Sequence, residues 1–343
     1  MTKHKTGYEF KSKIRVAISD KCNLKCAYCD NSHMLSSDRV IAMEDFRSTP
    51  ISAGCISVEQ YLEIFKSFYK NGFSRINFTG GEPMLNPQWN YIVTETKKIG
   101  FQSVEMTTNG TLLKSYFSKH NSFPQELDRL IVSIDTFNPD DYQKIIGKRI
   151  NISDVIDGVR ILKKRNPNIG LTANCVLCKN NSFIIADYIN SVESVGFDRV
   201  TFLDLVVRDP KDLDEITFFK DQFLSGEEIK KLLFSIYGDL TVSSGRHDFN
   251  VVLPSGLIVS VVDTKGMTRR DERCKNCSQY CQEGIYTAKV ATDGTIIDCL
   301  GSNGIKINSI KALNNNTLDI EIQRIFDRLA EGHTGYHFDE FIQ

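Results

Sequence analysis

Residues 14–29 read Ile14-Arg-Val-Ala-Ile-Ser-Asp-Lys-Cys22-Asn-Leu-Lys-Cys26-Ala-Tyr-Cys29. The first five form a short β-branched run of the kind that builds a buried strand, and three cysteines at CxxxCxxC spacing follow on the loop that leaves it. Working outward, the same strand signal returns at Arg75–Phe78, Ser103–Thr107, Leu130–Ile134, Leu171–Val176 and Val200–Leu205, with helical patterns between. Ser57 and Gln60 suit a capping box, and Val58, Tyr61, Leu62, Phe65 and Phe68 repeat behind it at helical spacing. Pro87 opens the next helix and Gly100 closes it, while Asn138-Pro139-Asp140-Asp141 starts another that runs to the Asn166-Pro167 break. Such β-then-α units predict an α/β fold, a partial (β/α)6 barrel with right-handed crossovers over residues 13–225. Its active site is expected at the carboxyl ends of the strands, where the cysteine loop lies.

Beyond residue 206 the rhythm changes. A polar stretch, Arg208–Asp221, leads to a helix near Glu227–Tyr237, then to short strands and turns, then to an amphipathic helix over 317–330. We divide the chain into an N-terminal extension (1–12), the partial barrel (13–225) and a small C-terminal α+β extension (226–343).

The chain has 343 residues, 41% hydrophobic and 25% charged, enough for one large domain with an appendage. A formal net charge of -1 and a pI near 6.6 give no electrostatic grip on nucleic acid. No apolar run resembles a signal peptide or a bilayer span, so a cytoplasmic location without membrane attachment is expected. Only 21 residues precede Cys22, too few for a leader-binding domain there. In a reducing compartment the 10 cysteines read first as metal ligands or catalytic thiols. Two groups stand out: Cys22, Cys26 and Cys29, then Cys274, Cys277, Cys281 and Cys299. Cys175 and Cys178 read as small buried hydrophobes, and Cys55 has no assigned role.

Three thiolates can bind three irons of a 4Fe–4S cubane and leave the fourth iron open. An amine and carboxylate on adjacent atoms, such as the methionyl part of S-adenosylmethionine, can chelate that open iron. An electron passed into the sulfonium then breaks its bond to the 5′ carbon, and the primary radical abstracts hydrogen from unactivated carbon. A zinc site is the alternative; it normally takes four ligands, and His33 is the only histidine close after the group.

The loop and the motifs that follow it resemble the radical S-adenosylmethionine superfamily. Thr79-Gly80-Gly81-Glu82-Pro83 follows the second strand, Thr107-Thr108-Asn109-Gly110 ends the third, Val132-Ser133-Ile134-Asp135 ends the fourth, and Asn174 lies in the fifth. The resemblance implies that Cys22, Cys26 and Cys29 hold the catalytic cluster and that Tyr28 backs the adenine. By the same resemblance Gly80, Gly81 and Glu82 receive the methionyl ammonium, and Thr108, Asn109, Ser133 and Asn174 contact ribose or carboxylate. Glycines would let backbone approach the ligand, and a carboxylate pairs with an ammonium. A flavodoxin- or ferredoxin-type reductant is implied as partner, alongside a small-molecule or peptide substrate.

Within the superfamily, residues 13–205 are most similar to the GTP 3′,8-cyclase branch of molybdenum-cofactor biosynthesis. Residues 14–23 look like that branch's opening, as does Ser133-Ile-Asp-Thr-Phe-Asn-Pro-Asp-Asp-Tyr142, and Arg15 stands where the branch uses an arginine on its nucleotide. Cys274-Lys-Asn-Cys277 and Cys299 resemble the ligands of an auxiliary 4Fe–4S cluster, set in a twitch- or SPASM-like region. Cys281, if it ligates, closes the open iron and makes that cluster an electron carrier; a four-cysteine zinc ribbon is the structural alternative. Against GTP stand Asn86 and Thr172 at positions basic in the branch, the loss of an arginine-rich stretch after Cys277, and the absent C-terminal Gly-Gly. A triphosphate needs several cationic donors, so the sequence favours a radical enzyme with another small-molecule or peptide substrate (dehydrogenation, cyclisation or epimerisation) and keeps the GTP cyclase as the alternative. A non-enzymatic iron–sulfur carrier or zinc module is the reading from another class.

Overall fold

The computed structural model describes residues 13–26, 29, 55–205, 213–244, 248–262, 269–270, 287–299, 304–331 and 333–334. Its first half alternates strand and helix: β1 (Lys13–Ser19), α1 (Val58–Lys70), β2 (Arg75–Gly80), α2 (Trp89–Ile99), β3 (Ser103–Thr108), α3 (Leu113–Phe117) and β4 (Arg129–Ser133). There follow α4 (Pro139–Ile146), α5 (Ile152–Arg165), β5 (Gly170–Val176), α6 (Lys179–Ser182), α7 (Ile185–Val195), β6 (Arg199–Leu203), α8 (Leu213–Gln222) and α9 (Gly226–Tyr237). The remainder contributes β7 (Val242–Ser244), β8 (Asp248–Val252), β9 (Ile258–Val262), β10 (Arg269–Arg270), β11 (Thr287–Val290), β12 (Thr295–Ile297) and β13 (Lys306–Asn308). Two helices, α10 (Ser309–Asn314) and α11 (Leu318–Glu331), and the short β14 (His333–Thr334) end the described chain.

The expected strands form, in parallel and in sequence order from β1 to β6. The sheet does not stop there. Strand β9 adds in parallel beside β6, and β11 adds in parallel beside β1, so residues from the C-terminal third extend both edges. Antiparallel β8 and β7 continue one side, β12 and β13 the other, giving an open 12-stranded sheet rather than a closed barrel.

Alternation along the strands sorts residues between two faces. Ile14, Val16 and Ile18 of β1, Ile76 and Phe78 of β2, and Val104 and Met106 of β3 share one core with Tyr61, Phe65 and Val159 of the covering helices. Each such side chain contributes roughly 1.5–3 kcal/mol by leaving water. The opposite, inner face carries Lys13 and Arg15, Arg75 and Asn77, Glu105 and Thr107, Arg129, Thr172 and Asn174, Arg199 and Lys289.

The local signals for α1 are realised. Ser57 caps it through Gln60 N at 3.3 Å, and Gln60 Oε1 accepts from Ser57 N at 2.8 Å. The single helix expected between Asn138 and Asn166 is instead two, α4 and α5. Gly147 leaves α4 in the left-handed conformation (φ 63°), and a Cβ there would sit 2.6 Å from the Lys25 carbonyl oxygen. The break lets the cysteine loop dock on the end of α4, where Lys25 N donates to Ile146 O at 2.9 Å.

Candidate active site

Because β1 to β6 run parallel, the segments that follow them meet at one end of the sheet. Cys22 and Cys26 are half-buried there and Cys29 is exposed, all three as free thiols. Burial, with a smaller contribution from neighbouring acids and thiols, pushes Cys22 and Cys26 up to about 12, so both are protonated until a cation replaces the proton. Leu24 N donates to Cys22 Sγ at 3.4 Å, and the Asn109 amide approaches the same sulfur at 4.0 Å.

The two glycines of the second motif pack against the cysteine loop. A methyl at Gly80 (φ 137°) would overlap the Ser19 carbonyl oxygen and lie 3.0 Å from Ser19 N. One at Gly81 would overlap the Lys21 carbonyl oxygen and lie 2.9 Å from Cys22 N. The space a side chain would need is occupied by the backbone that delivers Cys22. Gly81 N and Glu82 N then donate to Ser19 O and Lys21 O at 2.8 and 2.6 Å, so the two loops form one unit.

Glu82 is fully buried. Its Oε1 accepts from Thr108 Oγ1 at 2.7 Å and Met84 N at 3.0 Å, and its Oε2 accepts from Asn109 N at 2.8 Å. Burial nevertheless pushes its carboxyl up to about 7, because three neutral donors do not replace a counter-charge. Its folded value lies above the ordinary 4.5. Between those values the folded chain holds a proton that the unfolded chain has lost, so stability falls as pH rises across the window, by at most about 1.4 kcal/mol per unit. We expect Glu82→Gln to remove that slope, measured by urea denaturation of the iron-free chain at pH 5 and pH 7; an unchanged slope would assign the effect to other groups.

Asn109 lies on this network rather than apart from it. Its Nδ2 donates to Asn23 Oδ1 (2.8 Å), Asn23 Nδ2 donates to Thr111 Oγ1 (2.8 Å), and Thr111 Oγ1 donates back to Asn109 Oδ1 (2.6 Å). This closed ring, with Asn23 and Thr111 buried, clamps the residue after Cys22 to the end of β3. The sequence reading missed Asn23 and Thr111, since a polar residue beside a cysteine or a turn carries no signal until its burial is known.

Ser133 and Asn174 are register neighbours on β4 and β5. Among the described residues no hydrogen bond joins their side chains to the Glu82 network. Cys175 is buried with Sγ 3.6 Å from Asp135 O, as expected, whereas Cys178 is half-buried at the N-cap of α6. Tyr28, Cys274, Cys277 and Cys281 lie outside the described residues; Cys299 is described, half-buried after β12.

The inner face supplies cations that motif positions do not reveal. Arg15 stands in register with Lys289 on one side and Asn77 on the other. Arg129 reaches across Gly170 to donate to Thr172 Oγ1 at 2.9 Å, and Arg199 donates to Asn250 Oδ1 at 2.8 Å. Lys13 and Arg75 both bind Glu105 at 2.7 Å; although burial opposes it, these ion pairs hold the Glu105 carboxyl at about 2. Among the described residues Arg15 has no hydrogen-bond or ion-pair partner.

No three His, Cys, Asp or Glu among the described residues are placed around one metal ion. In a cubane cluster each thiolate takes a different iron, so this bears on a mononuclear site and not on a cluster.

Residues 16–194, just over half of the chain, match the model of the Radical SAM superfamily. A GTP 3',8-cyclase of Lactiplantibacillus plantarum is 32% identical over 155 residues, which cover 44% of this chain and 41% of that protein. A GTP 3',8-cyclase of Alkaliphilus metalliredigens is 26% identical over 300 residues, 84% of this chain and 81% of that protein. Streptococcus suis SuiB bound to S-adenosylmethionine superposes with a TM-score of 0.58 at 14% identity, over 91% of this chain and 65% of SuiB, a likeness of fold.

Proposed function

The chain belongs to the radical SAM superfamily, and we propose that it works on GTP as a 3′,8-cyclase. Membership implies a 4Fe–4S cluster and S-adenosylmethionine, which together supply hydrogen-atom abstraction when bound. The residues present fit them. Three thiols share the loop after β1, Cys22 Sγ receives an N–H, and a fully buried carboxyl with no counter-cation among the described residues stands beside the loop. Cys22, Cys26 and Cys29 would hold the cluster. Glu82 would meet the methionyl ammonium, whose charge supplies what Thr108, Asn109 and Met84 cannot. Cys299, with Cys274, Cys277 and Cys281, would hold an auxiliary cluster, and residues 226–343 would form its region.

The inner face of the sheet carries the nucleotide reading. Neutral Asn86 and Thr172 argued against a triphosphate, yet Asn86 is committed to the Ile18 carbonyl (2.6 Å) and Thr172 to Arg129. On the same face of the sheet Arg15 and Lys289 are register neighbours, with Glu105 already neutralised by Lys13 and Arg75. Relatives that bear the cyclase name over 81% of their length support the same substrate.

The test is anaerobic incubation of reconstituted chain with GTP, S-adenosylmethionine and dithionite. Consumption of GTP with matching 5′-deoxyadenosine is expected. Deoxyadenosine without GTP loss would overturn the substrate and return the choice to another small molecule or a peptide.

A further inference from the structure

The Tyr142 hydroxyl is buried and has no hydrogen-bond partner among the described residues, although its residue is only 2% exposed. A buried phenol normally finds an acceptor, and an orphan in a native chain calls for an explanation. Its position supplies one. Tyr142 lies in the first turns of α4, capped by Asn138 Oδ1, which accepts from Asp140 N at 3.0 Å and Asp141 N at 3.1 Å. The far end of the same helix accepts Lys25 N through Ile146 O, so α4 and the residue before Cys26 are bonded together. Burial pushes the Tyr142 phenol well up, and the neighbouring Cys26, Asp135 and Glu82 push it the same way. Glu82 already accepts three bonds, and Asp135 Oδ1 accepts Val176 N at 2.8 Å.

We propose that Tyr142 is a hydrogen-bond donor to the cluster held through Cys26, its proton directed at sulfur that carries anionic charge once iron is bound. Neither the family match nor the relatives assign this residue. The inference rests on the proposed ligation by Cys22, Cys26 and Cys29. Donation to cluster sulfur stabilises the more negative, reduced state, so the hydroxyl raises the reduction potential and slows loss of iron.

Tyr142→Phe removes one oxygen and keeps the ring. In the iron-free chain this deletes an unsatisfied polar atom, and the melting temperature should hold or rise. In the reconstituted chain the sign reverses: iron passes to a chelator about 10-fold faster and the cluster potential moves negative. S-adenosylmethionine affinity changes less than twofold, within the scatter of a residue that does not touch it. A purely structural tyrosine would destabilise both forms alike, and that result would overturn the proposal. So would faithful iron retention with weakened S-adenosylmethionine binding, which would give the hydroxyl to the cofactor's carboxylate. In pulsed electron paramagnetic resonance of the reduced protein, an exchangeable-proton coupling present in the unmutated chain and lost in Tyr142→Phe is expected, the Leu24 N–H at Cys22 Sγ being common to both; identical spectra would also overturn it. Failure of the unmutated chain to load iron would instead sink the ligation on which the inference stands.

Discussion

Gly81→Ala is expected to abolish iron loading at Cys22, Cys26 and Cys29 although it removes no thiol. The new methyl would overlap the Lys21 carbonyl and stand 2.9 Å from Cys22 N, and both neighbours are backbone. Relief requires the cysteine loop to move off β2, breaking the bonds from Gly81 N and Glu82 N to Ser19 O and Lys21 O. Overpacking of side chains costs about 1–3 kcal/mol, and a collision with backbone falls at or above that range. Iron per chain after anaerobic reconstitution should fall at least tenfold, with the melting temperature lowered. Gly238→Ala is the control: Gly238 has a left-handed φ (77°), which Gly81 has not, but nothing lies within 4 Å of the added carbon. It should cost about 1 kcal/mol of backbone strain and leave iron loading intact. Normal loading of the Gly81 variant would show that the two loops are not one unit.

Arg328→Ala should cost the apo chain about 3–5 kcal/mol, a large share of an ordinary domain's stability. Arg328 of α11 donates through Nη1 to both oxygens of Asp298, at 2.8 and 2.7 Å, with side chains 2% and 0% exposed. Truncation leaves a carboxylate buried without its cation. Asp298 also accepts Ile305 N at 2.8 Å and immediately precedes Cys299, so the pair holds the turn that carries that thiol. Combining Arg328→Met with Asp298→Asn should recover most of the loss, because no unpaired charge remains. Urea denaturation of the single and double variants checks both; a loss below about 1 kcal/mol in the single variant would mean the pair is solvated like a surface ion pair.

Much of the site was legible because its motifs are local. The Cys22–Cys29 spacing, the Gly-Gly-Glu after β2 and the polar ends of β3 to β5 each fall at the end of a β-branched run, and parallel strands must bring those ends together. Their division of labour was not legible. Beside the cofactor contacts that the resemblance implies, Gly80 and Gly81 seat the backbone leading into Cys22, and the Asn109 carboxamide bonds Asn23 and Thr111. Both depend on contacts with the cysteine loop, 59 to 86 residues away, which no window of sequence contains. The Tyr142 hydroxyl is the same case: a tyrosine in an amphipathic helix is ordinary until burial leaves its oxygen unpaired.

By itself the sequence determined the six core strands, the helices between them and the placing of three thiols on the first loop, since alternation, capping and turn chemistry act within a few residues. Only the tertiary structure decided that β9 and β11 flank that core, that Gly147 splits one helix so the cysteine loop can dock, and that Arg15 faces Lys289 across strands 274 residues apart. Sheet edges, close backbone approach and the gathering of charge on an inner face are set by which distant segments pair, and pairing is a property of the folded chain.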